Sequence, residues 1–222
     1  MSLISIFLIF LFYISSLIFI SGLSYKIIQY WKTPAPLKIP IAPSALDKKG
    51  VLLRYFREIF LFASLFKANK WTWLFGWSFH LALVLLFFRH LVYFWPGEVP
   101  LILYKTEPFK YAAYPLIFGL LGLLGRRLFV DRVRYISAPS DYLMLLVFIF
   151  IASTGMMMTF ANYHPNILMV KNFASGLITF KWSELPGEII FVLHILPVFC
   201  IIAKCFSSIF FPPFFFFFFV LF

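Results

Sequence analysis

Four histidines carry the most telling chemistry in this chain: His80, His90, His164 and His194. Three of them, His80, His90 and His194, stand inside long apolar runs, where an ionisable side chain is costly and by default marks a function. His80 and His90 share the run WTWLFGWSFHLALVLLFFRHLVYFW. In a helix, ten residues place them about 15 Å apart along the axis and about 80° short of three full turns. They therefore lie at two depths on neighbouring faces. His194 stands a few residues inside one end of a later run, and His90 a few residues inside the end of its own run that faces the same side. Their depths match as those of two axial ligands of one cofactor do.

Two imidazoles from facing helices saturate the iron of a b-type haem, which is held without covalent links, and leave an electron-transfer centre, not an oxygen-binding one. Haems at two depths would carry electrons across a bilayer. The plainer reading of a membrane histidine is a ring hydrogen-bonded to a Ser or a backbone carbonyl. For a single residue that reading weighs more; for a pair with a depth-matched third, the spacing favours haem. Zinc fits poorly, since no Cys, Asp or Glu falls at either depth. Cys200 and Cys205 match neither a CxxC redox pair nor a CxxCH haem attachment. His164 stands in the polar turn Asn-Tyr-His-Pro-Asn and is expected on a surface loop. Arg89, beside His90, could meet a haem propionate or snorkel to the interface.

The elements that must hold these residues follow from composition. Of 222 residues, 63% are hydrophobic and 12% charged, far from the balance of a soluble domain. That excludes a water-soluble enzyme, and such apolar content excludes disorder. The long unbroken runs argue against a membrane β-barrel. An all-α integral membrane bundle is expected, with five spans: 3–23, 73–95, the short 111–124 with 128–130 as its extension, 142–161 and a fifth from about 187 past 203, against the roughly 20 residues a membrane helix needs. The first has neither a positive n-region nor an A-x-A-like site and reads as a retained anchor. The Phe-rich tail offers a possible sixth apolar segment.

Charge sets the orientation. Segment 25–70 carries Lys26, Lys32, Lys38, Lys48, Lys49, Arg54, Arg57, Lys67 and Lys70, and segment 126–141 carries Arg126, Arg127, Arg132 and Arg134. The intervening segments 96–110 and 162–188 carry only Lys105, Lys110, Lys171 and Lys181. The positive-inside rule places the N-terminus outside and both basic segments in the cytoplasm. In that setting the net charge of +11 needs no nucleic-acid partner. Residues 1–24 form the first helix. Segment 25–70 divides into a Pro-rich stretch (Pro34, Pro36, Pro40, Pro43) and, after Gly50, an amphipathic interfacial helix with Leu52, Tyr55, Phe56, Ile59, Phe60 and Ala63 on its apolar face. The polar face could instead dock a cytoplasmic partner. Residues 71–210 form the haem-binding core, and 204–222 a low-complexity tail.

The stretch FASLFKANKWTWLFGWSFHLALVLLFFRHLVYF, with its H-x9-H pair, resembles the gamma-subunit family of respiratory nitrate reductase, a cytochrome b family. Within it the likeness is greatest to the DsrM type of membrane subunit, associated with dissimilatory sulfite reductase. DYLMLLVFIFIASTGMMM and LPGEIIFVLHILPV extend the likeness over roughly residues 50 to 202. The resemblance implies five spans, an outside N-terminus, two b haems, quinone as diffusible substrate and a cytoplasmic iron–sulfur partner subunit, in the cytoplasmic (inner) membrane. It implies that His90 and His194 ligate the outer haem iron and His80 the inner one. The family's fourth ligand falls 18 residues after the first His of span five, where this chain has Pro212. The tail, with its run from Phe214 to Phe219, departs from the family here, and a change of reading frame near Ala203 is expected.

Two functions compete: an electron-transfer subunit of a quinol oxidoreductase, and a non-catalytic membrane anchor with an incomplete haem path. A transporter is a third class, but the repeats it leads one to expect are not found. Lys105 and Lys110 are loose candidates for a quinone pocket and better ones for interfacial anchors. The charge asymmetry predicts that, in a cysteine-free background, Glu98→Cys is labelled by an impermeant thiol reagent from outside and Lys48→Cys only after the membrane is opened. Labelling of Lys48→Cys from outside overturns the topology.

Overall fold

The computed structural model describes residues 1–34, 48–95, 98, 105–161 and 163–207. Among these the chain is helical, without strands. In order the helices are α1 (Leu3–Lys32), α2 (Lys48–Leu61), α3 (Ala63–Ala68), α4 (Lys70–Phe94), a 3-10 helix (Glu107–Ala112) running into α5 (Ala113–Phe129), α6 (Asp131–Ile136), α7 (Pro139–Phe160), α8 (Ile167–Thr179) and α9 (Ile189–Ser207). Four stretches are long and apolar enough to cross a membrane: α1, α4, the 3-10 helix with α5, and α7; α8 and α9 are shorter apolar helices. Most of the Pro-rich stretch and the tail, including Pro212, lie outside the described residues.

The helix ends are fixed by local chemistry. The Ser2 hydroxyl accepts from the Ser5 amide at 3.2 Å and opens α1; Thr33 and Pro34 end it. Asn69 caps α4 by accepting from the Thr72 amide at 2.8 Å, and α4 stops at Trp95, before Pro96. Pro139 opens α7, where its missing N–H costs nothing, and Asp141 accepts from the Ala138 amide at 3.0 Å.

The amphipathic segment forms a helix as expected, but it breaks at Phe62, whose φ of 48° places it in the left-handed region. The reversal swings α3 back toward α4. The indoles of Trp73 and Trp77 donate to the Leu61 carbonyl at 2.7 Å and the Phe60 carbonyl at 3.2 Å. These bonds supply donors to carbonyls in the last turn of α2, where the intrahelical ladder ends. On the other side of the corner, the Ser64 hydroxyl and amide both donate to Glu58, at 2.7 and 3.0 Å, and hold its carboxyl below the usual range.

The bundle has two apolar cores. In one, Ala82 of α4 meets Leu116 and Leu120 of α5 and Ala152 of α7. In the other, Leu8 and Ile9 of α1 meet Val170, Phe173 and Leu177 of α8 and Phe191 and Phe199 of α9. In sequence, α4 packs on α5, α5 on α7 and α7 on α9, with α1 against the outside of α9 and α8 against α4. Arg127 closes the α5–α7 turn, donating to Asp141 at 3.2 Å and Ser137 at 2.7 Å, while Tyr142 donates to the Arg127 carbonyl at 3.0 Å.

Segment 162–188, expected as a loop, holds α8. Val170, Phe173, Ala174 and Leu177 recur at helical spacing and are buried, which is the periodicity of an amphipathic helix. The start of α1 is fastened to the segment between α8 and α9: the Ser2 amide donates to Glu184 at 3.1 Å and the Leu185 amide to Ser5 at 3.1 Å. Tyr13 donates to the Leu177 carbonyl at 2.8 Å and stacks on Phe180, centroids 5.6 Å apart and planes within 3°. The beginning of the chain and segment 180–188 thus occupy the same end of the bundle.

In membranes, close helix packing relies on small residues. A Cβ built on Gly119 of α5 would lie 2.6 Å from the Phe75 carbonyl oxygen and 2.9 Å from the Phe79 amide nitrogen. Those atoms belong to the backbone of α4 and cannot rotate away. Gly119→Val is expected to force α4 and α5 apart at a cost of about 1–3 kcal/mol, seen as a lower melting temperature in detergent. Wild-type thermal stability of Gly119→Val overturns the α4–α5 contact.

Candidate functional site

His90 lies one turn from the C-terminal end of α4, and His194 in the second turn of α9. The helices run in opposite directions, so the two residues fall at one level. Their ring centroids are 6.4 Å apart and their planes lie within 11° of parallel. One iron between two imidazole nitrogens, each near the ~2 Å of metal–imidazole bonds, separates the ring centres by about 6 Å. The observed spacing suits that geometry. It is also wider than direct ring contact needs.

Hydrogen bonding fixes the tautomers. His90 Nδ1 lies 2.6 Å from the Leu86 carbonyl, one turn back on its own helix. A carbonyl only accepts, so Nδ1 carries the proton and Nε2 presents the lone pair a metal takes. His194 Nδ1 reaches a different helix: it lies 3.0 Å from the Ile151 carbonyl and 3.0 Å from the Thr154 hydroxyl, both on α7. The donor set, two neutral imidazoles with Nε2 as the ligating atom, fits a b-type haem. Among the described residues no group of three or more His, Cys, Asp or Glu gathers.

His80 sits apart, lower on α4. Its Nδ1 lies 2.7 Å from the Gly76 carbonyl, repeating the pattern at His90. Phe62 and Phe79 flank its ring edge-on, with centroids 5.1 and 4.8 Å away. Position 212, which the family resemblance pairs with it, lies outside the described residues. His164 is exposed in the α7–α8 connection, with Nδ1 2.7 Å from the Met158 carbonyl. It is not brought to the other three.

Arg89 donates to the Glu107 carbonyl at 3.1 Å, tying the end of α4 to the 3-10 helix. Lys110 pairs with Glu107 and lies over the Tyr111 ring at 5.3 Å; Lys105 is exposed. Cys200 is a free, exposed thiol. A groove of about 310 Å³ runs between α4 and the start of α5, lined by Trp77, Leu81, Leu85, Phe109 and Pro115. Neither His80 nor His90 lines it. Sequence reading missed Thr154 and Gly155, the α7 residues against His194. The available signal was a Ser/Thr-Gly cluster, Ser153-Thr154-Gly155, in an otherwise apolar run.

No family model matches the chain. It is similar to the Hdr-like menaquinol oxidoreductase cytochrome b-like subunit of Archaeoglobus profundus, 28% identical, with the match covering 76% of this chain and 62% of the relative. It is equally similar to the same-named subunit of Archaeoglobus fulgidus, at 28% identity, 76% of this chain and 63% of the relative. The likeness supports a membrane cytochrome b. The chain spans less than two thirds of the length of these relatives. Their names speak of menaquinol and cytochrome b, and not of nitrate or sulfite.

Proposed function

We propose that the chain is a five-span, haem-bearing electron-transfer subunit of a quinol-linked respiratory complex in the cytoplasmic membrane, with its N-terminus outside. It would pass electrons between menaquinol or a related quinone and a cytoplasmic iron–sulfur partner. The observation that carries this reading is the parallel His90–His194 pair, set at the spacing of two ligands to one iron. The likeness to menaquinol oxidoreductase cytochrome b-like subunits supports the quinone part. The nitrate reductase and sulfite reductase resemblance supports the iron–sulfur partner.

In this reading His90 and His194 hold the outer haem b. A bound haem supplies reversible one-electron chemistry at that depth. The chain's residues do the rest. Leu86, Ile151 and Thr154 hold the two rings in the ligating tautomer. His194 is half-buried, while His90 keeps an exposed side. Arg89, held by the Glu107 carbonyl, sets positive charge beside His90, where a propionate would be received. His80 would hold one side of the inner site; the family resemblance sets the other ligand at position 212, where the sequence has proline. That last point favours the second reading, a membrane anchor with an incomplete haem path.

One measurement separates the two. Membranes expressing the chain are expected to show a b-type band in the reduced-minus-oxidised spectrum, and pyridine haemochrome quantitation of purified chain should give one haem. His90→Ala should abolish that band. No b-type band leaves the anchor reading. Unchanged haem content in His90→Ala refutes the His90–His194 site, and two haems per chain show that His80 has found a partner.

A further inference from the structure

We propose that Thr154 and Gly155 of α7 are positioning residues for His194: they set the orientation of its imidazole and, through it, the reduction potential of the centre. The inference rests on the reading that His90 and His194 ligate one haem. Three observations point to it. First, the two rings of the pair are held differently. His90 bonds back to its own helix, so α4 alone orients it. His194 has its Nδ1 contacts on α7, a neighbouring helix, split between the Ile151 carbonyl and the Thr154 hydroxyl at 3.0 Å each.

Second, Thr154 is buried, and its own proton has a destination: the hydroxyl lies 3.0 Å from the Phe150 carbonyl and 2.9 Å from the Ile151 carbonyl. Since carbonyls only accept, the hydroxyl donates to them and turns a lone pair toward the imidazole N–H. Third, the neighbouring position has no side chain. A Cβ on Gly155 would lie 3.1 Å from His194 Cε1 and 3.6 Å from Nδ1. Cε1 is bonded to Nε2, the ligating atom, so a methyl group there would push directly on the ligand.

The consequence follows from how partner groups tune an axial histidine. An acceptor on Nδ1–H gives the imidazole partial imidazolate character, which strengthens its donation to ferric iron and lowers the potential. Thr154 supplies part of that acceptance. A valine of nearly the same shape keeps the packing and removes the oxygen. Glycine at 155 lets α7 approach closely enough for the bond to form.

The test uses the haem-loaded full chain in detergent, with potentiometric titration of the b-type band and low-temperature EPR of the oxidised form. Thr154→Val is expected to keep its haem and raise the midpoint potential, and Thr154→Ser to restore it. Gly155→Ala is expected to shift the g-values of the low-spin ferric signal, because the ring must move by a few tenths of an ångström. Haem loss in Thr154→Val that Thr154→Ser repairs also supports the role. An unchanged or lowered potential in Thr154→Val, or haem loss in both Thr154 variants, overturns it. His194→Ala separates this failure from that of the underlying reading. If His194→Ala removes the haem while Thr154→Val leaves the potential unmoved, only the positioning role falls. If His194→Ala leaves haem and spectrum intact, the haem site itself is wrong and this inference goes with it.

Discussion

The cost of placing an imidazole in hydrocarbon governs much of this structure. A buried polar ring without partners is unfavourable by several kcal/mol, so each membrane histidine must find an acceptor before it can do anything else. His80 and His90 meet the requirement in the most local way, through the carbonyl one turn earlier. His194 meets it through α7. Its helix is therefore tied to α7, the neighbour against which it packs. With Nδ1 so engaged, Nε2 is left as the lone-pair nitrogen of each ring in the His90–His194 pair. Among the described residues α4 and α9 make no extended backbone contact, and the two imidazoles face each other across a ring-centroid distance of 6.4 Å.

Much of this is legible in the sequence because the period-3.6 pattern and the charge alternation are strong signals in membrane proteins. The apolar runs, the amphipathic helix and the matched depth of His90 and His194 all follow from residue type and count. Two features are not legible. The reversal at Phe62 has no glycine or proline to announce it; a phenylalanine adopts a left-handed backbone there because the indole bonds of Trp73 and Trp77 fasten the end of α2. Helix α8 is hidden by its length. At 13 residues it is too short to count as a span, so in the sequence its apolar face passes for part of a loop.

The site is legible in part for a related reason. Spacing along a helix can place two histidines at one depth, but it cannot say which neighbouring helix will orient them. Thr154 and Gly155 act through a contact between α7 and α9, forty residues apart in the chain. Nothing local distinguishes that threonine from Thr159, whose hydroxyl merely donates to the Gly155 carbonyl at 2.9 Å. Tertiary pairing alone separates the two roles.

The fastening of α1 carries a consequence for biogenesis. Ser2 and Ser5 bond to Glu184 and Leu185, and Tyr13 to Leu177, across 164 to 182 positions of chain. The partners of α1 lie late in the chain, so α1 docks only after α8 and the segment that follows it have been synthesised. In the interval it stands in lipid as an isolated rod, in keeping with a two-stage assembly in which insertion precedes association. Its serine hydroxyls suit that wait: Ser15 donates to the Phe12 carbonyl at 3.0 Å, and Ser2 and Ser5 share a bond at 2.8 Å. Ser15 is satisfied within the helix from the moment it forms, whereas the Tyr13 hydroxyl gains its acceptor only when α8 arrives.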